Sequence, residues 1–76
     1  MKLQLNDKTY IVQDVLRSGA AKRLMFRVPK NIATDIVANY SPDSAMLGNE
    51  SLSAYQRISS ISDRGTHVII ALEKTS

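Results

Sequence analysis

Residues 15–29 read Val15-Leu16-Arg17-Ser18-Gly19-Ala20-Ala21-Lys22-Arg23-Leu24-Met25-Phe26-Arg27-Val28-Pro29. Leu24, Phe26 and Val28 alternate with Arg23, Met25 and Arg27. That period of two is what a half-buried strand imposes, because successive side chains point to opposite faces. Gly19-Ala20 interrupts the run upstream, and glycine at the first central position suits a two-residue type II′ turn. The stretch is therefore expected to be a hairpin pairing Arg17 with Lys22, Val15 with Leu24 and Ile11 with Val28. One face would carry Ile11, Val15, Leu24, Phe26 and Val28. The other would carry Val12, Leu16 and Met25 among Asp14, Arg23 and Arg27. The incoming strand is apolar on both faces, which fits a strand covered on both sides or one bending around a small barrel.

Working outward, Met1–Leu5 and Lys8–Arg17 predict two strands joined at Asn6-Asp7, residues that tolerate the positive φ of a tight hairpin loop. That register sets Leu5 against Lys8 and Leu3 against Tyr10, so Leu3, Leu5, Tyr10 and Val12 share a face. Pro29 ends the third strand. Asn31 is a candidate cap for a helix whose apolar stripe is Ile32, Ala33, Ile36, Val37 and Tyr40. Ser41-Pro42-Asp43-Ser44 has the form of a second helix start, running to Leu47 and stopping at Gly48. Ser62-Asp63-Arg64-Gly65-Thr66 predicts a third hairpin through a type I turn and a glycine bulge. It would pair Ser60 with Val68, Ile58 with Ile70 and Gln56 with Leu72. Residues 52–58 fit either a strand or a helix, and the turn that follows favours a strand from about Tyr55. The expected fold class is α+β and β-rich. Five short antiparallel strands form three hairpins, with one or two short helices between strands three and four, as a small barrel or a curved sheet packed on a helix.

The chain has 76 residues, no cysteine, one histidine and a formal net charge of +3. It is expected to be a single compact domain over 1–76. Surface scaling at this size gives a folded surface of about 4,600 Å² and about 7,600 Å² buried on folding. At about 25 cal/mol per Å² for the apolar part, burial supplies roughly 110 kcal/mol. Ordering the chain at about 1.5 kcal/mol per residue costs roughly the same, so a partner or a second copy is an expected source of stability. Without cysteine, disulfides, zinc–thiolate sites and thiol nucleophiles are excluded, and no metal or other cofactor is expected. No apolar run approaches the length of a membrane span, and Met1–Leu5 lacks the apolar stretch of a signal peptide. A reduced cytoplasmic setting and no membrane partner are expected.

The charge is uneven: residues 1–30 carry a net +5 and residues 31–76 a net −2. Arg17, Lys22, Arg23, Arg27 and Lys30 would line the tip and one face of the second hairpin, where arginines could follow a phosphate backbone. Stacking platforms are few, since Phe26 and Tyr40 fall on core faces and leave Tyr10 and Tyr55. Met25, Leu16 and Val12 share the arginines' face, and mixed apolar, Met and Arg surfaces are typical of interface cores. The strands Leu3–Leu5 and Val68–Leu72 are candidate free edges for pairing between subunits. One acid–base grouping suggests RNA cleavage, with Glu50 as base, Arg57 and Arg64 as phosphate clamps and His67 as acid. Paired strands would bring Arg57, Ile61, His67 and Glu73 onto one face, where Arg57 and Glu73 also suffice for a surface ion pair. No catalytic residue is assigned. The expected function is non-enzymatic: a small assembly module working by protein–protein contact, homo-oligomeric, through Arg17, Lys22, Arg23, Met25, Arg27 and Lys30. The alternatives are nucleic-acid binding by the basic hairpin and, more remotely, a small ribonuclease.

Overall fold

The computed structural model describes residues 1–20 and 22–74. Its strands are β1 (Lys2–Leu5), β2 (Lys8–Ile11), β3 (Gln13–Ser18), β4 (Arg23–Pro29), β5 (Met46–Leu47), β6 (Glu50–Ser51), β7 (Arg57–Asp63) and β8 (His67–Glu73). One helix, α1 (Lys30–Asn39), follows β4 directly. The strands form two antiparallel four-stranded sheets, ordered β2-β1-β5-β6 and β3-β4-β8-β7. The chain is thus strand-rich and compact with one helix, and its folded surface of 4590 Å² matches the scaling value.

Alternation builds the core. Leu3 and Leu5 of β1, Leu24, Phe26 and Val28 of β4, and Val68, Ile70 and Leu72 of β8 all point into one cluster. Ala33 and Ile36 close it from α1, and Leu52 and Tyr55 from the loop before β7. Tyr40, at the end of α1, donates its hydroxyl to the Tyr55 carbonyl at 2.6 Å, which ties the helix to that loop. The helix stripe of Ile32, Ala33, Ile36, Val37 and Tyr40 packs as its spacing predicts. The first hairpin also has the expected register, with Leu5 against Lys8 and Leu3 against Tyr10.

Other expectations are corrected. Residues 8–17 are two strands, not one. The chain crosses between sheets at Val12, whose amide donates to the Met1 carbonyl at 2.9 Å and whose carbonyl accepts from the Met1 ammonium at 3.1 Å. A bulge follows at Asp14, which takes φ +52. An inserted residue exchanges the two faces of a strand. The bulge thus lets Val15 reach the core as well as Val12, which keeps its expected face with Leu3, Leu5 and Tyr10, while Ile11, expected with Leu24, Phe26 and Val28, stands opposite Lys2 and is 56% exposed. The second hairpin is slipped by two residues, with Arg17 opposite Leu24 and Ser18 opposite Arg23. Its turn is longer than expected: the Lys22 amide donates to the Gly19 carbonyl at 3.1 Å, and Ala20 as well as Gly19 has positive φ. Ala21, within that turn, lies outside the described residues.

Asn31 is not the cap of α1. Pro29 occupies the cap position with no side-chain hydrogen bond, since strand and helix join without a linker. The second helix is absent among the described residues. Pro42–Ser44 form a turn, and Met46–Leu47 add to the side of β1 left open by β2. Pairing with a waiting strand outweighs the local capping signal there. Residues 52–56 are turn and loop, and β7 begins at Arg57 rather than near Tyr55. The third hairpin has a three-residue loop with Gly65 at φ +93, and its register differs from expectation: Ser60 faces Ala71, Ile61 faces Ile70 and Ile58 faces Leu72. The expected free edges Leu3–Leu5 and Val68–Leu72 are not edges, for β1 lies between β2 and β5 and β8 between β4 and β7.

The central place of β8 has a measurable consequence. Amides of residues 68–72 are expected to exchange with solvent far more slowly than those of residues 30–39, in a helix without a side-chain cap. Hydrogen exchange read by NMR checks this; faster exchange in β8 would contradict the topology.

Candidate protein-binding face

The second sheet has an inner face on the core and an outer face on which, among the described residues, no helix or other sheet packs. Its outer side chains fall in rows across the four strands. The middle row is Leu16–Met25–Ala71–Ser60, the next Gln13–Arg27–Ile69–Ser62, and the row at the other end Ser18–Arg23–Glu73–Arg57. Leu16 is 58% exposed, and Met25 and Ile69 are half-buried. Ala71 is buried, yet stands outside the core cluster, because it lies on this outer side. At one end an open depression of about 380 Å³ is walled by Asp14, Leu16, Met25, Arg27, His67 and Ile69.

Only some of the expected site residues meet here. Arg23, Met25 and Arg27 share the outer face. Arg17 faces the other way, opposite Leu24, and pairs with Glu50 of β6. Lys22 sits in the turn, where its carbonyl accepts from the Lys74 amide at 2.8 Å. Lys30 begins α1 and pairs with Asp63 at 3.2 Å, on the helix side of the sheet.

The cations of the face have carboxylate partners within it. Arg27 lies 3.1 Å from Asp14 and donates to the Gln13 side chain at 2.8 Å. Glu73 takes Arg23 at 3.8 Å and Arg57 at 3.1 Å. Arg57 and Glu73 stand directly opposite each other on paired strands. Such exposed pairs add little stability, but they reduce the field that a phosphate chain would follow.

The acid–base grouping is dispersed. Glu50, in β6 of the first sheet, is held by Arg17 of β3, and Arg64 is in the β7–β8 turn. Arg57 faces Glu73, whereas His67 is at the opposite end of β8, about 20 Å away at roughly 3.3 Å per residue. Ile61 faces the core side with Ile70, so it does not share a face with Arg57 and Glu73. Among the described residues no three His, Asp or Glu side chains come together as a metal site, and no helix is long and apolar enough to cross a membrane.

The titratable groups with displaced pKa values lie off this face. The Tyr10 hydroxyl, 2.5 Å from Asp35, holds that carboxyl below its usual range, and Lys8 adds to the effect. Asp63 is held low first by the Gly65 amide and then by Lys30. Burial pushes Tyr40 up to about 12. Carboxyls lowered on folding stabilise the fold above their unfolded pKa of about 4 and lose that contribution as pH falls further. Tyr40 acts in the opposite sense, its contribution fading from about pH 10 upward. Melting temperature against pH is therefore expected to show a plateau with both limbs falling. Asp35→Asn should lower the plateau and flatten the acid limb; an unchanged acid limb would contradict the role given to Asp35.

The sequence reading missed Ile69, Ala71, Ser60, Ser62 and Glu73 as members of this face. The signal was masked, because Val68–Leu72 is apolar on both faces and shows no alternation. Neither a protein-family model, nor a curated protein, nor a solved structure matches this chain.

Proposed function

We propose that the chain is a non-enzymatic assembly module that works by protein–protein contact, with the outer face of the second sheet as its contact surface and a second copy as its partner. The observation that carries this reading is the in-register apolar row Leu16–Met25–Ala71, bordered by arginines that already have carboxylate partners. An apolar centre with a mixed-charge rim is the anatomy of a protein interface. Each end of the face presents both signs, so a copy turned about a twofold axis meets no uniform like charge. Two such sheets would stack about 10 Å apart as the halves of a sandwich do.

The area sets the strength. Four strands at about 4.8 Å and seven residues at about 3.3 Å give roughly 440 Å² per copy, or about 900 Å² for two. That is near the lower limit for a specific interface, so association through this face alone would be reversible and concentration-dependent. Light-scattering mass of Leu16→Lys and Met25→Lys beside the unaltered chain tests it, with a lower mass expected in both. An unchanged mass would remove the face from the account.

A further inference from the structure

A face of marginal area invites a second contact. The long strand edges among the described residues are β3 and β7, since β2 and β6 are short. β3 is interrupted by its bulge and by the positive φ of Asp14, features that turn an edge away from pairing. β7 is different. It contains neither lysine nor proline, and its irregularity falls between Ile58 and Ser60, leaving Ser60–Asp63 regular. Ile61 stands on the helix side of this edge, 52% exposed. With Ala33 and Val37 of α1 it walls an open groove of about 260 Å³ that ends at the Lys30–Asp63 pair.

We propose that β7 is a self-pairing edge: the β7 strands of two copies join antiparallel about a twofold axis at Ile61, making one eight-stranded sheet. This rests on the assembly reading and adds its second contact. Three features select a second copy as the occupant. Centring on Ile61 sets it opposite its own counterpart and sets Ser60 opposite Ser62 of the other copy, so apolar meets apolar on the helix side and hydroxyl meets hydroxyl outside. A shift of one residue would set Ile61 against Ser60 or Ser62 and mismatch the faces. In this register Asp63 falls opposite Ser59 and Arg57 opposite Gly65 of the other copy, so neither charge meets its like directly across the seam. Finally, the area of the outer face falls short of what a stable dimer needs, and edge pairing supplies backbone hydrogen bonds and covers Ile61.

The two contacts differ in symmetry. The edge axis stands perpendicular to the sheet, whereas the axis relating two stacked faces lies parallel to it. Perpendicular twofold axes that meet close into a dimer of dimers. Light-scattering mass of the full chain, with circular dichroism to verify folding, separates the contacts. The unaltered chain is expected to reach four copies. Ile61→Lys is expected to halve that mass, Met25→Lys to halve it also, and the double variant to be a monomer. Ile61→Thr, which keeps a β-branched side chain, should weaken the edge about tenfold without disturbing the fold. If both Ile61 variants keep the unaltered mass, the edge proposal is overturned, and the face reading stands only where Met25→Lys lowers that mass. If Ile61→Lys alone lowers the mass and Met25→Lys does not, the edge stands and the face reading fails.

Discussion

Phe26→Ala is expected to unfold much of the chain at room temperature. Phe26 is almost fully buried in the middle of β4, opposite Ile70 of β8, and reaches the cluster shared by both sheets and the helix. Removing a buried phenyl ring loses transfer free energy and leaves a cavity, together about 3–5 kcal/mol. A chain of this length has roughly 4–11 kcal/mol in total, and the balance drawn above places it toward the low end. Close packing around the site leaves little that could collapse into the gap, since the neighbours belong to paired strands. Urea unfolding followed by circular dichroism measures it. A loss under about 1 kcal/mol would mean that Phe26 is not in a shared core.

Leu16→Lys and Met25→Lys are expected to leave the fold in place and weaken self-association by about 100-fold or more, the effect of an unpaired ammonium at the centre of a desolvated contact. Leu16 is largely exposed in the single chain, so a lysine there meets water until a partner arrives. Reversing Arg23 or Arg27 is a poorer probe. Arg23 lies beside Glu73 and Arg27 beside Asp14, so reversal sets like charges together within one chain and disturbs the sheet itself. The apolar row isolates the contact from the ion pairs around it. Sedimentation over a range of concentrations reads the change, and equal dissociation constants in variant and parent would contradict the assignment.

Much of the inner architecture was legible from alternation. Leu24, Phe26 and Val28 announced β4, and the tight turn at Asn6-Asp7 set the first register correctly. The helix stripe was equally clear. What local signals could not show was how strands change partners. Val12 and Asp14 carry the crossover and the bulge, and neither residue type marks them in the sequence. Val12 keeps the face it shares with Leu3, Leu5 and Tyr10, but Ile11 does not join Leu24, Phe26 and Val28 as a single continuous strand would require. Met46–Leu47 follows a good helix start yet becomes a strand, because an open side of β1, distant in sequence, offers it hydrogen bonds. The candidate face was visible in part. Arg23, Met25 and Arg27 were placed together correctly, while Arg17, Lys22 and Lys30 were grouped with them by nearness along the chain, although Arg17 faces with Leu24, Lys22 lies in the turn and Lys30 opens α1. The contribution of β8 stayed hidden inside a run that is apolar on both sides.

The central claim is that this chain assembles with itself through apolar contact rather than tracking phosphate. Light-scattering mass across protein concentration tests it most directly, at low and at high salt, with and without a mixed RNA and DNA oligonucleotide pool. The account predicts a mass above the monomer that rises with concentration, changes little with salt and ignores the pool. A monomer at every concentration that takes up the pool only at low salt would contradict it and return the basic hairpin to first place.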